Sequence, residues 1–149
     1  MIKPKFYKIS HGTEYFPPEE VSNSNQANLV YVHGSTKAKG RSLTSQGDNF
    51  IAAEVGDYFY LTYENSGIVL LGQFSGPANV FSTKGKGWLD RPYRIIRMAI
   101  PNKGYQGPKR WWAPSDNSTF IEVPQSDLQE LEEHILQPFF STNLSDYDL

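Results

Sequence analysis

The stretch VGDYFYLTYENSGIVLLGQF, Val55 to Phe74, reads as a β-hairpin. Gly56-Asp57 makes a turn, and Tyr58 to Tyr63 is aromatic and β-branched, as a pleated, half-buried surface requires. Glu64-Asn65-Ser66-Gly67 reverses the chain, with the glycine free to take a positive φ, and Ile68 to Phe74 returns as the antiparallel partner.

Upstream, Lys5 to Ile9 (KFYKI) alternates enough to be a strand, and it runs on into His11-Gly12. A polar stretch rich in Pro, Glu, Ser and Asn then reads as loop as far as Asn28. Leu29 to His33 (LVYVH) is a short strand closed by Gly34; a flexible polar loop, GSTKAKGRS, follows, and Asp48 to Ala53 reads as a short helix. Downstream of Gly76-Pro77 come a short segment around Val80-Phe81, a Gly-Lys-Gly loop, and a strand from Tyr93 to Ile100 bounded by Pro101. A Gly-Pro-rich loop fills 102–118, and Thr119 to Val123 is a further strand. Ser126 to Gln137 predicts a helix capped by Ser126 or Asp127, apolar along Leu128, Leu131, Ile135 and Leu136, and stopped by Pro138. The expected architecture is α+β. It forms a single domain over 1–140, with 141–149 a frayed polar tail or the start of a linker.

Composition bounds the function. The 149 residues include 38% hydrophobic side chains, nine Phe and nine Tyr, enough to fill one core. There is no apolar run near 18 residues and no basic-then-apolar amino terminus, so the expectation is a cytoplasmic protein with no membrane partner. Zero cysteines exclude disulfides, thiolate metal sites and cysteine nucleophiles. Zinc-protease, nucleophile-elbow and phosphate-loop motifs are missing; GSTKAKG has the wrong order for the last, and KGKGW does not lead from a strand into a helix. His11 and His33 sit at strand ends beside glycine, where a rim position competes with a structural one, and His134 lies in the acidic helix. The expectation is a binding module without catalysis, cofactor or metal.

Charge is separated along the chain. The formal net charge is −2, yet all 14 Lys and Arg precede Trp111, and the eight acids after Trp112 have no Lys or Arg among them. The basic residues form three groups: Lys3, Lys5 and Lys8; Lys37, Lys39 and Arg41; and Lys84, Lys86, Arg91, Arg94, Arg97, Lys103, Lys109 and Arg110. Asp90 is the only acid within the third, which is interleaved with Phe81, Trp88, Tyr93 and Tyr105. Phosphates plus stackable bases call for such a pattern; a solvated face neutralised by acids from elsewhere in the fold is the competing reading.

GPKRWWAP, Gly107 to Pro114, carries two of the three tryptophans. On a strand their side chains would point to opposite faces, so one is expected to pack inward while the other, or Trp88, faces a ligand.

Taken together, KFYKI, VGDYFYLTYENSGIVLLGQFSGP and DRPYRIIRMAIP…WWAPSDNSTFIEVP resemble the PUA-like superfamily that contains the EVE and YTH domains, and in particular the amino-terminal modules of McrB-type restriction proteins. The chain departs from the YTH pattern in lacking its Lys-Ser-Asn pocket run. The resemblance implies a PUA-like fold, a strongly bent antiparallel sheet or small β-barrel flanked by helices, and a module that flips a modified base, methylated or hydroxymethylated, out of a DNA duplex into an aromatic cage. Catalysis would then belong to a fused or associated AAA+ GTPase or ATPase and a nuclease subunit. Extrusion needs flat faces, edge-reading polar groups and nearby cations. Trp88, Trp111, Trp112 and Tyr93 are the candidate faces, and Ser35, Thr36, Asn79, Ser82 and Asp90 the candidate edge readers. Lys84, Lys86, Arg91, Arg94, Lys109, Arg110, Lys37, Lys39 and Arg41 are the candidate phosphate contacts. A PUA-like protein that binds RNA or a modified nucleotide, and a small enzyme or protein-interaction domain, are the alternatives.

Overall fold

The computed structural model describes residues 3–11, 29–39, 44–63, 67–82, 84–100 and 103–147. Among the described residues six strands, β1 (Phe6–His11), β2 (Leu29–His33), β3 (Tyr58–Tyr63), β4 (Gly67–Phe74), β5 (Trp88–Met98) and β6 (Phe120–Glu122), form one sheet in the order β2-β5-β4-β3-β1-β6. The fold is α+β, with the sheet curled into a half-barrel. β3 and β4 pair antiparallel as their sequence predicts, with a register shift at Leu61/Thr62; a second shift in the β4–β5 ladder falls at Leu71/Gly72. Such irregularities increase local twist and help a sheet curl. The turn residues 64–66, and the polar stretch read as loop from 12 to 28, lie outside the described residues.

One pairing departs from a purely antiparallel reading, and one strand starts earlier than its sequence predicts. β1 runs parallel to β3, Phe6 opposite Tyr58 and His11 opposite Tyr63, which the long connection through β2 permits. β5 begins at Trp88 rather than Tyr93 because it changes partner along its length: Trp88 to Pro92 pair with β2, and Tyr93 to Met98 with β4. Pro92 lies at that change of partner, so the ladder loses little from its missing N–H.

Both faces of the sheet are covered, and side chains sort between two cores by parity. Tyr7, Ile9, Phe59, Leu61, Leu70, Phe74, Leu89, Tyr93 and Phe120 pack inside the curl with Val30, Val32 and Phe50. Phe6, Tyr60, Leu71, Trp112 and Val123 face outward under Leu131, Ile135, Leu136, Phe139 and Phe140. The open side of the curl is bridged by α1 (Gln46–Ala52), whose N-cap Ser45 accepts from the Asp48 N–H. The Gln46 side chain takes the place of a missing strand: its Oε1 accepts from the N–H groups of Thr119 and Phe120, both at 2.8 Å, and its Nε2 donates to Lys37 O at 2.8 Å.

The carboxy-terminal helix differs from its sequence reading. After a 3₁₀ turn at Gln125–Asp127 it comprises α2 (Leu128–Leu131), a π-helical turn (Glu132–Leu136) and α3 (Gln137–Phe140), and neither Ser126 nor Asp127 caps it with a side-chain hydrogen bond. Pro138 does not stop it. The π turn resets the hydrogen-bond register, so Pro138 falls in the first turn of α3, where a missing N–H costs little. Residues 141–147 are not frayed as expected. A left-handed turn at Ser141 (φ 54°) lets the Thr142 N–H bond Leu136 O at 3.1 Å, and Tyr147 returns to pack on Phe6 and Tyr58. Ring burial outweighs the polarity of its neighbours.

Candidate nucleic-acid interface

At the end of β2, the Gly34 N–H donates to Gly87 O (2.7 Å) and the Thr36 N–H to His33 O (3.0 Å), while Thr36 O accepts from the Gln46 N–H at 3.0 Å. The turn after β2 therefore lies on the start of α1. The approach requires glycine: a Cβ on Gly47 would stand 2.6 Å from Gly34 O. Gly87 has φ +84°, and a Cβ there would meet His33 Nε2 at 2.7 Å. These glycines let His33 lie edge-on against Trp88, with ring centroids 5.1 Å apart. The Ser35 N–H donates to His33 Nδ1 (3.1 Å), and the Ser35 hydroxyl stands 2.6 Å from the same nitrogen.

Two tryptophans are tied to this segment, one from each side. Trp88, half-buried, has the Lys84 ammonium 4.9 Å from its ring centre. Trp111, 52% exposed, has the Lys39 ammonium 5.5 Å from its own. Lys39 is oriented by Asp116 (3.2 Å) and donates to Asn117 Oδ1. The described residues 34–39 thus connect two lysine-capped indole rings, with Lys37, Lys86 and Ser35 exposed nearby in sequence.

The loop carrying Trp111 is held from beneath by Lys8. Its fully buried ammonium donates to Asp116 O (2.8 Å), Ser118 O (2.6 Å) and Ser118 Oγ (2.9 Å), and the Ser118 hydroxyl donates to Trp111 O at 2.6 Å. Burial pushes the Lys8 pKa down to about 7, against the pull of Asp116. His11 is also wholly buried, which lowers its pKa to about 3, and its Nε2 accepts from the Tyr31 N–H at 3.3 Å. The acceptor role puts the neutral ring's proton on Nδ1. Lys84 lies close enough to His11 to oppose its protonation further.

Several predicted site residues are structural instead. Trp112 is 1% exposed; it lies in a turn, not on a strand, donates from Nε1 to Asp127 Oδ2 (2.9 Å), and its carbonyl accepts from Tyr60 OH. Tyr93 faces the inner core against Phe59. Asp90 is buried in the sheet, paired with Tyr31 and bridged to Asn79. Arg91, 1% exposed, faces no phosphate: its guanidinium lies over Phe74 and donates to Gly76 O (2.9 Å) and Phe50 O (2.8 Å). Arg110 grips Glu130 through two hydrogen bonds of 2.9 Å, so the acidic helix neutralises it. Arg94 is exposed but bonds Gln73 (2.6 Å) on the β4-paired half of β5. Ser82 Oγ accepts from the Lys84 N–H, Asn79 Oδ1 from the Phe81 N–H, and the Thr36 hydroxyl donates to His33 O, so these polar atoms shape their own loops. Lys109 is exposed beside Arg110, and Arg41 lies outside the described residues. Of the first basic group, Lys8 is buried and Lys5 pairs with Glu122 at 3.6 Å.

Sequence reasoning left four contributors out of the site: His33, Asn117, Gln46 and Phe81. Two of these had legible signals: His33 as a strand-end histidine beside glycine, and Phe81 as an aromatic residue interleaved with the basic groups in a glycine-bracketed loop. Two surface clefts, of about 320 and 420 Å³, lie elsewhere; Phe6 and Glu122 line the first, His134 and Phe139 the second. Among the described residues no cluster of His, Asp and Glu is arranged to hold a metal ion, and no helix is long and apolar enough to cross a membrane.

No family description and no curated sequence matches the chain. Among solved structures, it is similar to a protein of Agrobacterium tumefaciens determined by X-ray crystallography, with 12% identity, TM-score 0.49, and 85% of this chain and 90% of that one covered. A hypothetical protein from Leishmania major aligns at 8% identity and TM-score 0.46, covering 87% and 92%. A Rhodopseudomonas palustris protein solved by NMR aligns at 12% and 0.43, covering 85% and 89%.

Proposed function

We propose that this chain is a PUA-like nucleic-acid-binding module that reads a modified base in DNA, acting without catalysis of its own as the specificity element of a cytoplasmic, modification-dependent restriction system. Bond breaking would fall to a fused or associated AAA+ GTPase or ATPase and its nuclease. The observation that carries this reading is the pair of exposed or half-exposed indoles, Trp88 and Trp111, each capped by a lysine and joined through the segment 33–39. A ring left accessible beside a cation offers a π-face for a base and a charge for its phosphate, and such stacking contributes about 1–3 kcal/mol per base. Lys37, Lys84 and Lys86 supply further positive charge. The neutralised Arg110 and the buried Arg91 do not.

The test is a binding titration against duplexes of one sequence carrying no mark, 5-methylcytosine, 5-hydroxymethylcytosine, 4-methylcytosine or 6-methyladenine, with a matched RNA. Preference for one marked duplex is expected. Equal affinity for all duplexes would remove base reading, and tighter binding to the RNA would move the module to the RNA-binding class.

A further inference from the structure

Phe81 is 86% exposed and its neighbour Val80 52% exposed. The loop that carries them is pinned at several points. Asn79 exchanges two backbone hydrogen bonds with Asp90 (2.7 and 3.1 Å), and its side chain fixes the Phe81 N–H at 3.1 Å. The Lys84 and Gly85 N–H groups bond Ser82, and the Trp88 N–H bonds Gly85 O at 3.2 Å. The chain thus holds an aromatic ring out in water at a defined point, with Lys84 and Lys86 following it and Trp88 at the end of the same loop.

An apolar ring flanked by cations fits an apolar slot bordered by anions, and the gap between two base pairs of a double helix is such a slot. Proteins that unstack or kink a duplex insert apolar side chains of this kind. A base drawn out toward Trp88 leaves a vacancy in the stack that needs an apolar filler. We propose that Phe81 is that filler, a wedge entering the stack beside the extruded base, so that the ligand of this module is a duplex and not a single strand. This rests on the nucleic-acid-binding reading above. It goes further in assigning extrusion and strandedness to a residue outside the stacking pair.

The experiment compares wild type, Phe81→Ala and Phe81→Leu on three probes: a short duplex with 5-methylcytosine beside 2-aminopurine, the same duplex unmarked, and the marked strand alone. Because the side chain is exposed, melting should be unchanged in both variants. Phe81→Ala should weaken duplex binding by about tenfold or more and abolish the 2-aminopurine fluorescence rise that reports unstacking, while binding to the single strand changes by less than about twofold. Phe81→Leu should recover most of the loss, and an abasic site opposite the mark should shrink it. Equal losses on duplex and single strand, or none on either, would overturn the wedge. So would unaltered duplex binding alongside lost binding to phosphatidylserine-containing vesicles, which would make the ring a membrane anchor. The unmarked probe separates the two readings: unstacking that depends on Phe81 without preference for the mark keeps the wedge and sinks base reading, whereas preference for the mark without dependence on Phe81 does the reverse.

Discussion

Two regions of the molecule are built from the same residue types and put them to opposite use. Along the flank beneath the carboxy-terminal helices, Trp112 is bonded to Asp127 and Tyr60, and Arg110 is gripped by Glu130. Around the segment 33–39, Trp88 and Trp111 keep exposed ring surface under their lysine caps. Trp111 and Trp112 are adjacent in sequence, yet one is 52% and the other 1% exposed. What separates the regions is the element packed opposite. An acidic helix absorbs the indole N–H and the guanidinium on the flank. Beside the turn after β2 there is backbone and a short helix, so ring surface of Trp88 and Trp111 remains accessible there, while Lys39 is itself paired with Asp116.

The largest effect that would break this contrast is at Trp112. Trp112→Ala should lower unfolding free energy in urea by about 3–5 kcal/mol, because the cavity lies in the outer core. A loss below about 1 kcal/mol would mean that the ring is not core at all.

A pH series on the two buried basic groups of β1 follows. His11 titrates near pH 3 in the fold and near 6.5 when unfolded, so the unfolded chain takes up its proton first as pH falls; its stabilising contribution is present above 6.5 and is lost between 6.5 and 3. Lys8 titrates near 7 in the fold against 10.5 unfolded, so stability rises with pH across that interval. Each slope is at most about 1.4 kcal/mol per pH unit. Lys8→Met should flatten the alkaline rise in melting temperature, and an unchanged rise would place its source elsewhere.

Arg91→Met should cost about 1–3 kcal/mol, since it strands the buried carbonyls of Gly76 and Phe50. It should leave the salt dependence of DNA binding as in wild type. The paired change Lys84→Ala and Lys86→Ala should do the reverse, moving stability by less than about 0.5 kcal/mol while lowering the log–log salt slope by about 1 for each phosphate that is no longer neutralised. A slope identical to wild type would take both lysines out of the interface.

Much of the sheet was legible because its signals are local. The alternation of LVYVH and the run YFYLTY with its turn glycine placed β2 and β3, and the α+β class followed. Three things were not legible. Strand pairing across a long crossover is not written in local pattern, so the parallel β1–β3 ladder was missed. Pro92 hid the first half of β5, because a proline argues against a strand until a change of partner makes room for it. Arg91 and Lys8 look like surface cations in any composition count. Their burial depends on carbonyls brought from more than a dozen to over a hundred residues away: Gly76 and Phe50 for one, Asp116 and Ser118 for the other. The basic stripe consequently overstated the site, and the rings were sorted only when the acidic helix had a position.

The central claim is that accessible indoles at Trp88 and Trp111 read a base while Trp112 holds the fold. Melting temperature and the ratio of affinity for marked to unmarked duplex, measured together on Trp88→Ala, Trp111→Ala and Trp112→Ala, test it most directly. Trp112→Ala is expected to lose by far the most stability, and Trp88→Ala or Trp111→Ala to melt close to wild type with its ratio reduced to one. If both of those variants keep the full ratio, or if discrimination disappears only where the fold does, the claim is wrong.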